Sequence, residues 1–122
     1  MEYTGQDVLI VDDEPELREA LQDLLELEGY AVHCAGDGAE ALEHVKATRP
    51  RLIILDLMMP RMNGYEFMAE LERHDLRQDI PILVLSADKS AQDKAIRIGA
   101  NTGIAKPFDA NTLLDEVARL TR

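Results

Sequence analysis

The sequence predicts an α/β fold: an open, doubly wound, five-stranded parallel sheet covered by five helices on both faces. Three observations predict it. Short apolar runs alternate five times with segments of helical periodicity, the pattern of repeated β-then-α units. Four of the five runs are nearly continuous rather than alternating, as expected for parallel strands buried on both sides. No linker, low-complexity tract or internal repeat interrupts the series.

The first run is Val8–Val11. Leu17, Ala20, Leu21, Leu24 and Leu25 then recur at i, i+3, i+4, i+7 and i+8, one stripe of a helix. Pro15 suits its first turn and Gly29 its C′ position. The second run, Ala31–Ala35, leads to a shorter stripe of Ala41, Leu42 and Val45 that stops before Pro50. Leu52–Leu55 is the third run, and Phe67, Met68 and Leu71 make a stripe opening after Asn63-Gly64. Ile82–Leu85 precedes an Ala-rich helix at about Ala91–Ile98 that ends at Gly99. Thr102–Ala105 is the shortest run. The last stripe is Leu113, Leu114, Val117 and Ala118, with Asp109 as N-cap.

A length of 122 residues fits a single domain, 1–122, with residues 1–6 as an N-terminal tail. Such a chain encloses a core without disulfides or a structural metal. Hydrophobic residues at 46% and charged residues at 30% fit a soluble globular class and exclude disorder. The one cysteine, Cys34, has no internal partner and reads as a small buried residue. Met1–Gln6 has no signal-peptide character and no apolar run approaches a membrane span, so the expected compartment is the cytoplasm. A net charge of −11 argues against nucleic acid or an anionic membrane as a partner of this domain.

In a parallel α/β sheet, ligands bind beyond the carboxyl ends of the strands. The residues there are Asp12-Asp13, Asp56, Ser86 and Lys106-Pro107. Brought to one edge, three carboxylates repel, by about 4 kcal/mol per pair at 4 Å and an effective dielectric near 20. Such a cluster takes up a proton or a cation. Oxygen donors alone favour Mg²⁺ over Zn²⁺, and His33, His44 and His74 are scattered rather than spaced as zinc ligands. A carboxylate beside Mg²⁺ and a lysine is a competent nucleophile for a phosphoryl group, with a hydroxyl as a further donor. Each acid taken singly also reads as a helix cap, and Lys106 as a surface lysine; their convergence on one edge carries the chemical reading.

Four motifs then give a specific resemblance. They are Val11-Asp12-Asp13-Glu14, Leu55-Asp56-Leu57-Met58-Met59-Pro60 followed by Asn63-Gly64, Leu85-Ser86-Ala87, and Lys106-Pro107-Phe108. In sequence and spacing the whole chain resembles the receiver domain of bacterial two-component response regulators. The resemblance implies a flavodoxin-like strand order 2-1-3-4-5. It implies that Asp56 is the phosphoacceptor, that Asp13, Asp56 and the Met58 carbonyl bind Mg²⁺ directly, and that Asp12 does so through water. It further implies that Ser86 and Lys106 hold the phosphoryl group and that the bond before Pro107 is cis. The implied donor is a phosphohistidine of a sensor histidine kinase or histidine phosphotransfer protein. The implied receiver of the signal is a downstream effector or a fused output domain, and a phosphorylation-dependent dimer is left open. The implied activity is that of a switch rather than an enzyme, assisting only its own phosphotransfer and slow dephosphorylation.

One position departs from the family pattern. The family usually places an aromatic three residues before the lysine, and its ring turns inward on activation; here Gly103 stands there, where a glycine in a short edge strand also reads as allowing close backbone approach. The signal is therefore expected to leave through Ser86 and Ala87–Lys94, or through backbone shifts around Gly103. Met58 and Asp88, each two residues past a key residue, are expected to set the phosphate lifetime by governing water access. Three other readings compete. Gly36-Asp37-Gly38-Ala39-Glu40-Ala41 satisfies a relaxed dinucleotide-binding pattern, but Asp37 and Glu40 would face a pyrophosphate. A phosphorylation-independent adaptor would not need the acids, Ser86 and Lys106. A phosphatase using Asp56 would want a second acid where Met58 stands. Whether Arg122 ends the protein or a piece of it is not decided by the sequence.

Overall fold

The computed structural model describes residues 7–122; the expected tail, residues 1–6, lies outside the described residues. The elements in order are β1 (Asp7–Val11), α1 (Pro15–Leu27), β2 (Ala31–Ala35), α2 (Gly38–Ala47), β3 (Leu52–Asp56), α3 (Gly64–Arg73), β4 (Ile82–Ser86), α4 (Ala91–Arg97), β5 (Thr102–Ala105) and α5 (Ala110–Leu120). All strand pairs are parallel, in the order β2-β1-β3-β4-β5.

Successive side chains of a strand point to opposite faces, so each run feeds two cores. Leu9, Val11, Ile53, Leu55, Ile82 and Val84 pack beneath α2, α3 and α4 around Phe67 and Leu71. Val8, Ile10, Leu52, Ile54, Leu83 and Leu85 face Leu21, Leu25, Leu113 and Val117 of α1 and α5. Burying each large aliphatic is worth about 1.5–3 kcal/mol, which far exceeds the local propensities and explains why the apolar runs locate the strands so closely.

Edge strand β2 departs from the expected two-sided burial. Val32 and Ala35 are buried, but Ala31 and His33 are exposed. A strand flanked on one side only gets partial cover. Cys34 is accordingly half-buried, with its Sγ 3.6 Å from Gln22 Oε1. Burial still raises its thiol pKa, so the group is not an activated thiolate.

Capping follows the turn residues. Asp37 accepts from Glu40 N–H at the start of α2, Asn63 and Glu66 form a reciprocal capping box on α3, and Asp109 accepts from Thr112 N–H. Helix α4 ends at Arg97, one residue before the predicted limit.

Two strands run one residue past their apolar stretch. Asp56 pairs with Leu85, and Ser86 pairs with Ala105. The sheet ladder itself therefore fixes the backbone of both polar residues at the carboxyl edge.

Candidate functional site

The carboxyl edge gathers Asp12, Asp13, Asp56, Ser86 and Lys106. Asp12, Asp56 and Ser86 are buried, three of the five buried polar residues among those described. Neither buried acid serves as a helix cap. Asp12 Oδ1 accepts from Glu14 N–H at 2.9 Å, while the Arg18 guanidinium donates to the Asp12 carbonyl at 2.7 Å. Asp56 Oδ1 accepts from Met58 N–H at 3.2 Å. One carboxylate oxygen from each of Asp12, Asp13 and Asp56 lies within 4.8 Å of the others.

Lys106 faces this cluster. Its Nζ lies 3.3 Å from Asp12 Oδ2, 3.6 Å from Glu14 Oε1 and 3.9 Å from Asp56 Oδ1. Its amide donates to the Ser86 carbonyl at 2.7 Å, extending the β4–β5 ladder, and the bond to Pro107 is cis. Burial opposes the lysine's charge, but Asp12, Asp56 and Glu14 outweigh it and hold its pKa above the ordinary value.

Asp56 is pushed the other way. Burial and the neighbouring Asp12 charge raise its pKa to about 6, with Lys106 and the Met58 amide pulling back and Asp13 adding to the rise. A single ammonium does not neutralise three carboxylates. The donor set is all oxygen, within reach of one small ion, and contains no sulfur or imidazole; it fits Mg²⁺.

Two loops border the site. The β3–α3 loop is tied to the start of α2. Arg61 meets Asp37 Oδ2 through Nε at 2.7 Å and a terminal nitrogen at 2.6 Å, and Gly38 N–H donates to the Met62 carbonyl at 3.0 Å. A Cβ on Gly38 would sit 2.8 Å from that carbonyl oxygen. The glycine pair that resembled a dinucleotide motif thus admits the chain's own loop, and Asp37 is a cap and an arginine partner. Its pKa is lowered by the Glu40 amide and by Arg61.

The β4–α4 turn is held differently. Ser86 Oγ accepts from Asp88 N–H at 3.1 Å. The Asp88 carboxylate accepts from Ser90 N–H at 2.8 Å, from Ser90 Oγ at 2.6 Å and from Lys94 Nζ at 2.7 Å. These donors hold the Asp88 carboxyl well below its usual range. Met58 is 72% exposed; it and Asp88 share a cleft of about 390 Å³ with Tyr65, Ser86 and Lys94. A larger cleft of about 750 Å³ lies at the opposite end of the sheet, between Arg49, Arg51, Asp79 and Arg122, away from the acids.

Gly103 has a steric reason. A Cβ there would fall on the Ala91 carbonyl, 2.7 Å from its carbon and 3.0 Å from Ala95 Cβ. Helix α4 sits directly on β5, and Gln92 Oε1 accepts from Gly103 N–H at 2.7 Å and from Thr102 Oγ1 at 3.2 Å. No side chain of any kind fits at 103 in this arrangement.

Every residue singled out at the strand ends thus lies at the carboxyl edge. Of the supporting residues, Arg18 and Arg61 lie outside every motif, and Gln92 and Lys94 fall within the expected signalling segment Ala87–Lys94 without being singled out in it. They reach the site through side chains on helices and loops, with no motif to mark them; only Arg61's place between Pro60 and Asn63-Gly64 hinted at a shaped loop.

Residues 8–118 match the family model described as the response regulator receiver domain. The response regulator MprA of Mycobacterium leprae is 40% identical over 117 residues, covering 94% of this chain and 50% of that protein. The chain therefore spans about half the length of the curated relatives it matches. Among solved structures, chemotaxis protein CheY4 of Vibrio cholerae superimposes with a TM-score of 0.84 at 35% identity, covering 93% of this chain and 97% of that one. Response regulator TrrA of Thermotoga maritima, in complex with Mg²⁺ and BeF, does so at 0.84 and 32%, covering 94% and 98%.

Proposed function

Because the chain belongs to the response regulator receiver domain family and so to two-component signalling, we propose that it is a Mg²⁺-dependent switch that accepts a phosphoryl group on Asp56. The observation that carries this is the convergence of three carboxylates with Lys106 at 3.3 and 3.9 Å from two of them.

Asp13, Asp56, the Met58 carbonyl and, through water, Asp12 would hold Mg²⁺, which when bound neutralises charge on the transferring phosphoryl oxygens. An Asp56 carboxylate oxygen attacks phosphorus of a phosphohistidine in line. The P–N bond breaks as the P–O bond forms, and the imidazole leaves with its electron pair and takes up a proton. Lys106, already poised against Asp56, pairs with the new phosphoryl oxygens as a point charge. The Ser86 hydroxyl donates to another.

The phosphoryl contacts of Ser86 and Lys106 exist only in the active arrangement, so phosphorylation shifts the population toward it. Exposed Met58 and Asp88 border the approach to Asp56 and tune the lifetime of the acyl phosphate. The donor is a sensor kinase or phosphotransfer protein, and the signal passes to an effector or fused output domain. The domain works in the cytoplasm; no helix among the described residues is long and apolar enough to cross a membrane. Residues 1–122 act as one domain.

Incubation with acetyl phosphate and Mg²⁺ followed by intact mass tests the chemistry. The expected result is a gain of one phosphate that is lost on adding EDTA beforehand and lost in Asp56→Asn. Phosphate retained in Asp56→Asn, or gained equally without a divalent cation, overturns the proposal.

A further inference from the structure

A receiver with no room for an aromatic on β5 needs another connection between the site and α4. Three contacts supply one. Gln92 fastens α4 to the outer edge of β5, by way of Gly103 N–H and Thr102 Oγ1. Two residues further along the helix, Lys94 reaches back to Asp88 at 2.7 Å. Asp88 in turn donates its amide to Ser86 Oγ. Ser86 is buried and Asp88 is exposed, so this chain of contacts runs from the site outward to the helix.

We propose that Lys94 is a positioning residue that, through Asp88, holds the Ser86 hydroxyl in its resting place and so biases the domain against the phosphorylated arrangement. This rests on the reading of Asp56 as phosphoacceptor. In the resting arrangement a lone pair of Ser86 Oγ is engaged by the Asp88 amide. A hydroxyl that moves to a phosphoryl group leaves that amide behind. Asp88 then follows or loses its partner, and the Lys94 ion pair resists the change because its helix is anchored on β5. The Ser90 bonds to the same carboxylate make Asp88 a single rigid corner rather than a loose side chain. Phosphorylation reads out as release of Lys94 on an α4 that otherwise stays seated.

The latch and a direct charge effect differ in sign. If Lys94 acted only as a positive charge near the site, its removal would weaken binding of an anion there. If it latches the resting state, its removal strengthens binding of a phosphoryl mimic. An exposed ion pair shifts such an equilibrium by about two- to fivefold.

The test compares Lys94→Met, Asp88→Asn and the double variant with the parent, using two measurements on the whole chain. The first is exchange of the Asp88 amide in the unphosphorylated protein without Mg²⁺. It is expected to quicken in Lys94→Met while core strand amides do not change. The second is the affinity for beryllofluoride in saturating Mg²⁺, followed by amide shifts at Ser86 and Gly103. It is expected to rise about two- to fivefold in Lys94→Met, with no further gain in the double variant over Asp88→Asn. Unchanged Asp88 exchange, weaker or unaltered beryllofluoride binding, or an equal gain in the Asp88→Asn background overturns the latch. Failure of the parent itself to bind beryllofluoride would instead overturn the phosphoacceptor reading, and the exchange result still judges the resting contact.

Discussion

The two loops flanking the acid cluster are built on opposite principles. The β3–α3 loop is over-determined: a two-point Arg61–Asp37 pair, a backbone bond from Gly38 to Met62 and a capping box at Asn63 all hold it. Arg61 even keeps a left-handed backbone, φ +61°, that costs about 1–2 kcal/mol. The β4–α4 turn is held by Asp88, with its partly exposed partners Ser90 and Lys94 and one backbone bond from Ala91 N–H to its carbonyl, ahead of a seven-residue helix with no side-chain cap. The contrast teaches which part is meant to hold still. Under the proposed function, a loop that presents the Met58 carbonyl to Mg²⁺ would have to hold still, whereas a turn that carries Ser86 would have to change place at modest cost.

The largest effect is expected at Gly103, because the β4–α4 turn leads into a helix that is itself firmly seated on β5. Gly103→Ala drives a methyl into the Ala91 carbonyl, and backbone cannot rotate aside as a long side chain would. The expected loss is about 3 kcal/mol in urea unfolding with an unchanged m-value, and Gly103→Phe should lose at least as much. A loss below about 0.5 kcal/mol would mean that α4 shifts freely on β5, and the turn would then not be the only movable part.

Asp56 gives the next largest effect, on the fixed side. Folded, it keeps its proton to about pH 6; the unfolded chain releases it near 3.8. Between those values the folded state binds more protons, so stability is fully present below the lower value and falls as pH rises through the window. The cost, complete above the upper value, is about 2–3 kcal/mol in Mg²⁺-free protein. Asp56→Asn should therefore raise stability by about that amount near pH 8 and by little near pH 4. A gain independent of pH would show that strain rather than charge is relieved.

Sequence reading reached the fold because five apolar runs mark the five strands, and the three central ones, Val8–Val11, Leu52–Leu55 and Ile82–Leu85, are buried along their whole length. It reached Asp12, Asp56, Ser86 and Lys106 because a parallel sheet sends every strand end to one edge. At Asp37 the acid itself told against a phosphate cradle between the two glycines, and the folded chain makes it the cap of α2; that Met62 fills the space beside Gly38 has no mark in the sequence. A glycine in the short edge strand Thr102–Ala105 already pointed to a close backbone approach at Gly103, and the Ala91 carbonyl makes it; that the approaching backbone belongs to α4 has no signature in those four residues. Lys94 bounds the segment expected to carry the signal, but its pairing with Asp88 was not legible, since an ion pair six residues apart across a turn follows neither the 3.6 nor the 2.0 period.

The smallest effect on stability should be the most informative about the fixed loop. Asp37→Asn keeps a good N-cap for α2 while removing the charge that Arg61 clamps. Arg61→Gly removes the guanidinium but relaxes a backbone angle that glycine adopts freely. Each variant should therefore unfold within about 1 kcal/mol of the parent. Yet each frees the loop that begins at Met58, so if that loop holds the metal, Mg²⁺ affinity of the unphosphorylated protein, read by calorimetric titration, should fall about two- to fivefold, the worth of a largely exposed ion pair. The double variant should lose no more than either single one, because both delete the same contact. Equal Mg²⁺ affinity in all four proteins would show that the Gly38–Met62 bond and the capping box suffice to place the loop, and the arginine pair would then be a surface tie with no bearing on the metal.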